Sequence, residues 1–203
     1  MLYVDWAVHG ARPPAEIAAS HDQTRPQPLP PRGRGRSLFS GRSQLTRALA
    51  AQAAAVTTDE KGKALESLTQ ALFAMEPTLR VKQTRRRLGD EEIDFIVVND
   101  CPSTFWSNLR SPLFLVECKN WSCPVGAREV RDLDSKLRNH RAFARLGFLI
   151  AANGFTSEAR EAIKRLSRDD VAILLVALSD IQDFVRRKQR LAEWFEDLIA
   201  ELL

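Results

Sequence analysis

Leu113-Phe114-Leu115-Val116-Glu117-Cys118-Lys119 is an apolar run that ends in an acid and a lysine. Its length and continuous apolar character predict a buried strand. Side chains alternate along a strand, so Leu113, Leu115, Glu117 and Lys119 share one face. Placing two opposite charges on an otherwise apolar face costs desolvation, which argues for chemistry rather than packing. Asp94 lies in a second strand-like run, Glu92-Ile93-Asp94-Phe95-Ile96-Val97-Val98, and shares its face with Ile96 and Val98. Carboxylates on two strands suit a hard divalent cation, and a lysine beside them can orient a water. Together they are equipment for cutting a phosphodiester. The competing readings are a structural Glu117–Lys119 salt bridge and a solvent-facing Asp94.

The surrounding sequence predicts the frame for these strands. Thr57-Thr58-Asp59-Glu60 reads as a capped helix start, with acids at the positive end of the dipole. That helix runs on to Pro77, and Leu65, Leu68, Leu72 and Phe73 form its buried stripe. Glu66 borders the stripe, so it reads equally as a site residue and as a surface acid. A helix over about 43–55 precedes it. A strand over 79–84 follows, then a turn at Leu88-Gly89-Asp90, the Asp94 strand and a loop at Cys101-Pro102-Ser103. After Lys119 the pattern gives a helix over 128–144, a strand over 147–152, a helix over 157–166 and a strand over 171–178. One long amphipathic helix then runs from Asp180 to the end, marked by Ile181, Phe184, Leu191, Phe195, Leu198 and Leu202. Apolar strands alternating with helices indicate an α/β fold whose sheet is covered on both faces.

Composition narrows the class. The chain has 203 residues, 44% apolar and 28% charged, enough for one domain with a real core. Residues 1–56 hold seven Arg and three acids, which account for the whole net charge of +4; the remainder carries 23 of each sign. Nucleic-acid attraction must therefore come from local patches rather than bulk charge. Three cysteines without a CxxC pair, and only three histidines, argue against a disulfide framework and a structural zinc site. No apolar run reaches 18 residues and no signal-peptide pattern opens the chain, so a cytoplasmic protein without membrane contact is expected. The Pro-rich and Arg-rich stretch through Arg32-Gly33-Arg34-Gly35-Arg36 predicts a disordered leader over 1–42. An N-terminal helix over 43–56, a nuclease domain over 57–180 and a C-terminal amphipathic helix over 181–203 complete the division.

Gly62 and Glu66 on a helix, then Gly89-Asp90-Glu91-Glu92-Ile93-Asp94, then Leu115-Val116-Glu117-Cys118-Lys119, resemble the PD-(D/E)XK nuclease superfamily. Gly147-Phe148-Leu149-Ile150 followed by Asn153-Gly154-Phe155-Thr156 is similar to its Mrr-like restriction endonuclease branch. The resemblance covers roughly residues 61–180. It departs at Ile93, which stands where the superfamily's proline would be, and at Glu117, where Mrr-like members often carry Gln. The resemblance implies a restriction-endonuclease-like core, with a mixed central β-sheet flanked by helices on both faces. It also implies a Mg²⁺-dependent endonuclease acting on DNA, with Mn²⁺ able to substitute and a role in restriction or anti-phage defence. Asp94, Glu117 and Glu66 would hold the metal, and Lys119 would position the attacking water.

Lys82, Arg85, Arg86 and Arg87, with Asn120 beyond the lysine, are candidates for contact with the DNA backbone. Trp121 reads either as a cleft wall or as core, Lys136 as a solvated helix residue ahead of an aid to substrate phosphates, and the start of the 156–167 helix as a phosphate site. A homodimer and a restriction or modification partner subunit are compatible with this reading. A non-catalytic DNA-binding or assembly module and a repair or junction-resolving nuclease remain as alternatives.

Overall fold

The order of the elements follows from the sequence periodicities, and the sheet pairing then sets where each one goes. The computed structural model describes residues 38–88, 91–166 and 170–202. Twelve elements run in order: α1 (Leu38–Ala54), α2 (Thr58–Phe73), β1 (Leu79–Leu88), β2 (Glu91–Asn99), α3 (Thr104–Asn108), β3 (Leu113–Lys119), α4 (Ala127–Asn139), β4 (Ala144–Ala151), α5 (Ser157–Leu166), β5 (Ala172–Ala177), α6 (Leu178–Arg186) and α7 (Leu191–Ala200). The five strands form one sheet in sequence order. The first three are antiparallel, whereas β3, β4 and β5 are parallel. This is the mixed, helix-flanked sheet expected of a restriction-endonuclease-like fold. No described helix is long and apolar enough to cross a membrane.

Alternation divides the strand side chains between two cores. Phe95, Val97, Phe114, Val116 and Phe148 face a cluster completed by Leu45, Leu65, Leu72, Phe73, Phe184, Trp194 and Phe195 from α1, α2, α6 and α7. Ile96, Leu115, Leu149 and Ile173 face the opposite cluster, completed by Val130, Leu133, Leu137, Ala159 and Ile163 from α4 and α5. The start of α2 is as the sequence predicts: Thr57 and Glu60 form a reciprocal capping box.

Three expectations are corrected. The first helix begins at Leu38, so residues 38–42 are helical rather than part of a leader; residues 1–37 lie outside the described residues. The C-terminal segment is two helices, not one, because Arg187 and Arg190 are both extended. Arg42 supplies a physical reason for that break. Its guanidinium donates to the carbonyls of Val185 (3.0 Å), Arg187 (2.6 Å) and Gln189 (2.8 Å), satisfying acceptors that a continuous helix would have used internally. Trp194 and Phe195 are buried in the chain's own core, Phe195 with its ring 4.8 Å from that of Phe148, so these two residues cover the sheet. Finally, α4 ends at Asn139 and β4 starts at Ala144, because the His140 backbone N–H closes the helix onto Leu137 and Lys136.

Gly147 sets the distance between α4 and the sheet. A Cβ there would lie 2.9 Å from Leu137 Cδ1 and 3.2 Å from Leu133 Cδ2. Gly147→Ala should therefore push against α4 and lower unfolding stability by about 1–3 kcal/mol, read from urea denaturation.

Candidate active site

The register of β2 against β3 assembles the site. Phe95 pairs with Val116, and one further antiparallel step sets Asp94 beside Glu117. Asp94 Oδ2 accepts the backbone N–H of Cys118 at 2.7 Å, which locks the acid to the end of β3. Glu117 is only 5% exposed. Its Oε2 accepts from Lys119 Nζ at 3.0 Å, and its Oε1 accepts from Lys136 Nζ at 2.6 Å. Lys136 also donates to the Glu92 carbonyl at 2.6 Å, so one ammonium ties α4 to both β2 and β3. The solvated reading of Lys136 is thereby overturned: its side chain is 19% exposed and bonded to the buried acid. Helical spacing carried a signal for it, since Glu129, Leu133 and Lys136 at i, i+4 and i+7 share one flank of α4.

These residues line a cleft of about 300 Å³ whose charged walls are Glu91, Glu117, Lys119, Glu129, Asp132 and Lys136. Four acids against two lysines make the cleft repel a phosphodiester unless a cation enters with it. Asp94 is not one of the cleft-lining residues; its carboxylate is held to the end of β3 by the Cys118 N–H. Burial raises the Asp94 pKa most, opposed by the Cys118 N–H, and the carboxylates of Glu117 and Glu66 raise it further against the pull of Lys119. Lys119 is itself held above the usual lysine range. Burial alone would lower it, but Glu117, Asp94 and Glu129 together outweigh that cost.

Glu66, half-buried on α2, acts on Asp94 through its charge. Among the described residues no group of three or more His, Cys, Asp or Glu is close enough to cage a metal ion. The donor set nevertheless suits Mg²⁺, which takes one or two carboxylates and fills its remaining positions with water and phosphate oxygens. Asp94 and Glu117 are the candidates for that pair.

The loop beyond Lys119 is held from two sides. Asn120 donates to the Thr58 carbonyl at 3.3 Å, so this candidate DNA contact also ties the end of β3 to the first turn of α2. Asn153 donates to the Trp121 carbonyl, and Val125 exchanges backbone hydrogen bonds with Gly154 and Thr156 at 2.9 and 3.0 Å. Gly154 adopts a positive φ of 71°, which gives the Gly-Phe-Thr turn its physical role: it brackets the segment after the lysine. Trp121 is 41% exposed, so it belongs to the surface and not to the core.

Lys82 is exposed at a bulge on the edge strand β1, between the Val81–Val97 and Gln83–Ile96 pairs. The side chains of Arg85, Arg86 and Arg87, and all of Asp90, lie outside the described residues. The start of α5 is already taken. Thr156 accepts from the Ala159 N–H at 3.2 Å, and the Glu158 carboxylate is held below its usual range by its own backbone N–H and by Thr156. A phosphate there would meet an acid.

Residues 58–187 match a family model described as a restriction endonuclease. A search of curated proteins finds no match.

Cys118 meets α2, where its Sγ lies 3.3 Å from Thr69 Oγ1, and burial pushes its thiol far above the usual range. Cys123 is exposed. A thiol-specific alkylating reagent at neutral pH should modify Cys123 in the native protein and reach Cys118 only after denaturation, as read by peptide mass.

Proposed function

This chain belongs to the restriction-endonuclease family of the PD-(D/E)XK nuclease superfamily, and from that premise we propose that it is a metal-dependent endonuclease hydrolysing DNA phosphodiester bonds in restriction or anti-phage defence. The observation that carries the reading is the pairing of buried Glu117 with Asp94 on adjoining strands, with Lys119 Nζ 3.0 Å from Glu117. Asp94 and Glu117 would hold Mg²⁺ or Mn²⁺, with Glu66 supporting them through its charge. Such an ion would supply Lewis-acid polarisation of the scissile phosphate and a water of lowered pKa. Lys119 orients that water and offsets charge building on the phosphorus oxygens. The exposed Lys82 and the Arg85–Arg87 run fix the DNA backbone in register, and Asn120 holds the end of β3 steady beside it. The protein acts in the cytoplasm.

A second reading has one observation in its favour. Both oxygens of Glu117 already receive an ammonium, so the acid is satisfied without a cation, as a non-catalytic DNA-binding module would require. The two readings separate cleanly in vitro. The purified chain should nick or linearise plasmid DNA in Mg²⁺, lose this in excess chelator, and lose at least about a hundredfold in rate in Asp94→Ala and in Lys119→Ala. Cleavage that survives both substitutions removes these residues from the chemistry, and DNA binding without any cleavage or metal uptake selects the non-catalytic module.

A further inference from the structure

The nuclease reading leaves Lys136 without a part, although it makes the shortest bond to the buried acid. Two lysines meet Glu117, and they are not equivalent. Lys119 reaches Oε2 at 3.0 Å from two residues along the same strand, and its side chain is 27% exposed. Lys136 reaches Oε1 at 2.6 Å from a different element and is 19% exposed. It has a second anchor in the Glu92 carbonyl, also at 2.6 Å, which belongs to the strand that carries Asp94. Its helix is seated against Gly147 through Leu133 and Leu137, so the ammonium is placed by the core and not by a loop. A cation that approaches Glu117 must displace one of these partners. The shorter, doubly anchored and more buried bond is the one that stays.

Resting on the metal-nuclease reading above, we propose that Lys136 is the positioning residue of the site: it fixes Glu117 through Oε1 so that Oε2 and Asp94 face the cation, while Lys119 is the lysine that moves off Glu117 to serve the water. This division of labour has a distinctive cost. An ammonium that remains on Glu117 repels the bound cation, so Lys136 weakens metal binding even as it orients the acid. A merely structural lysine would have no such opposed effects.

Calorimetric titration of the full chain with MnCl₂ alone, with no DNA present, tests this. Lys136→Met and Lys136→Gln should each bind Mn²⁺ roughly tenfold more tightly than the parent. At saturating Mn²⁺ the same variants should cut plasmid DNA with kcat at least about tenfold lower and with KM little changed. Lys136→Arg, which keeps the charge, should retain parental Mn²⁺ affinity. The glutamine can still donate to the Glu92 carbonyl, so it decides the matter if the methionine variant does not fold. Unchanged or weaker Mn²⁺ binding in Lys136→Gln overturns the proposal. So does a raised KM for DNA with Mn²⁺ affinity unaltered, which would make Lys136 a phosphate contact. A parent chain that takes up no Mn²⁺ defeats the metal-nuclease reading itself and this inference with it, and that result is distinct from a parent that binds while its variants fail to tighten.

Discussion

Glu117 is almost fully enclosed, and a carboxylate in that position keeps its charge only where cations or donors replace the lost water. Two ammonium groups do so here, one on each oxygen. Removing either partner would leave part of a buried charge uncompensated, which typically costs several kcal/mol. Much of the architecture serves to deliver those two groups. Strand β3 brings Lys119, the packing of α4 over β4 brings Lys136, and β2 contributes both the Glu92 carbonyl and Asp94. The site is therefore a junction between three elements of the fold and not a feature of one strand.

That junction explains why the apolar packing around it is tight. Gly147 lets α4 approach until Leu137 and Leu133 rest where a Cβ would stand. Glu91 then receives Asn139 and His140 at the C-terminal end of the same helix, at 2.7 and 3.0 Å. With Lys136 on the Glu92 carbonyl, the last turn of α4 is thus tied repeatedly to the strand that carries Asp94. On the other face the aromatic cluster of Phe73, Phe148 and Phe195 holds α2 and α7 to the sheet, and α2 sets the charge of Glu66 within reach of Asp94.

The strands and most helices were legible because their signals are local. The capping box at Thr57 and Glu60, the apolar stripe of α2 and the continuous apolar runs of β3, β4 and β5 each lie within one segment. The contact of Glu117 with Lys119 was legible for the same reason, since strand phase alone places the two on one face. The break between α6 and α7 was not, because the apolar positions Ile181, Phe184, Leu191 and Phe195 keep helical spacing on either side of the polar residues 186–190. The break is stabilised by Arg42, more than 140 positions away, whose guanidinium meets the carbonyls that the break exposes. Lys136 was misread for a related reason. A lysine on the polar flank of a helix is usually solvated, and only the seating of α4 turns that flank toward Glu117.

The sequence by itself determined the α/β class and the shared face of Glu117 and Lys119, because alternation and helical spacing are properties of neighbouring residues. The tertiary structure alone decided three long-range partnerships: the second lysine on Glu117, the α2 acid whose charge acts on Asp94, and the arginine that stabilises the break in the C-terminal segment. Each of these depends on how closely separate elements approach, a distance set by packing across the sheet that no spacing along the chain records.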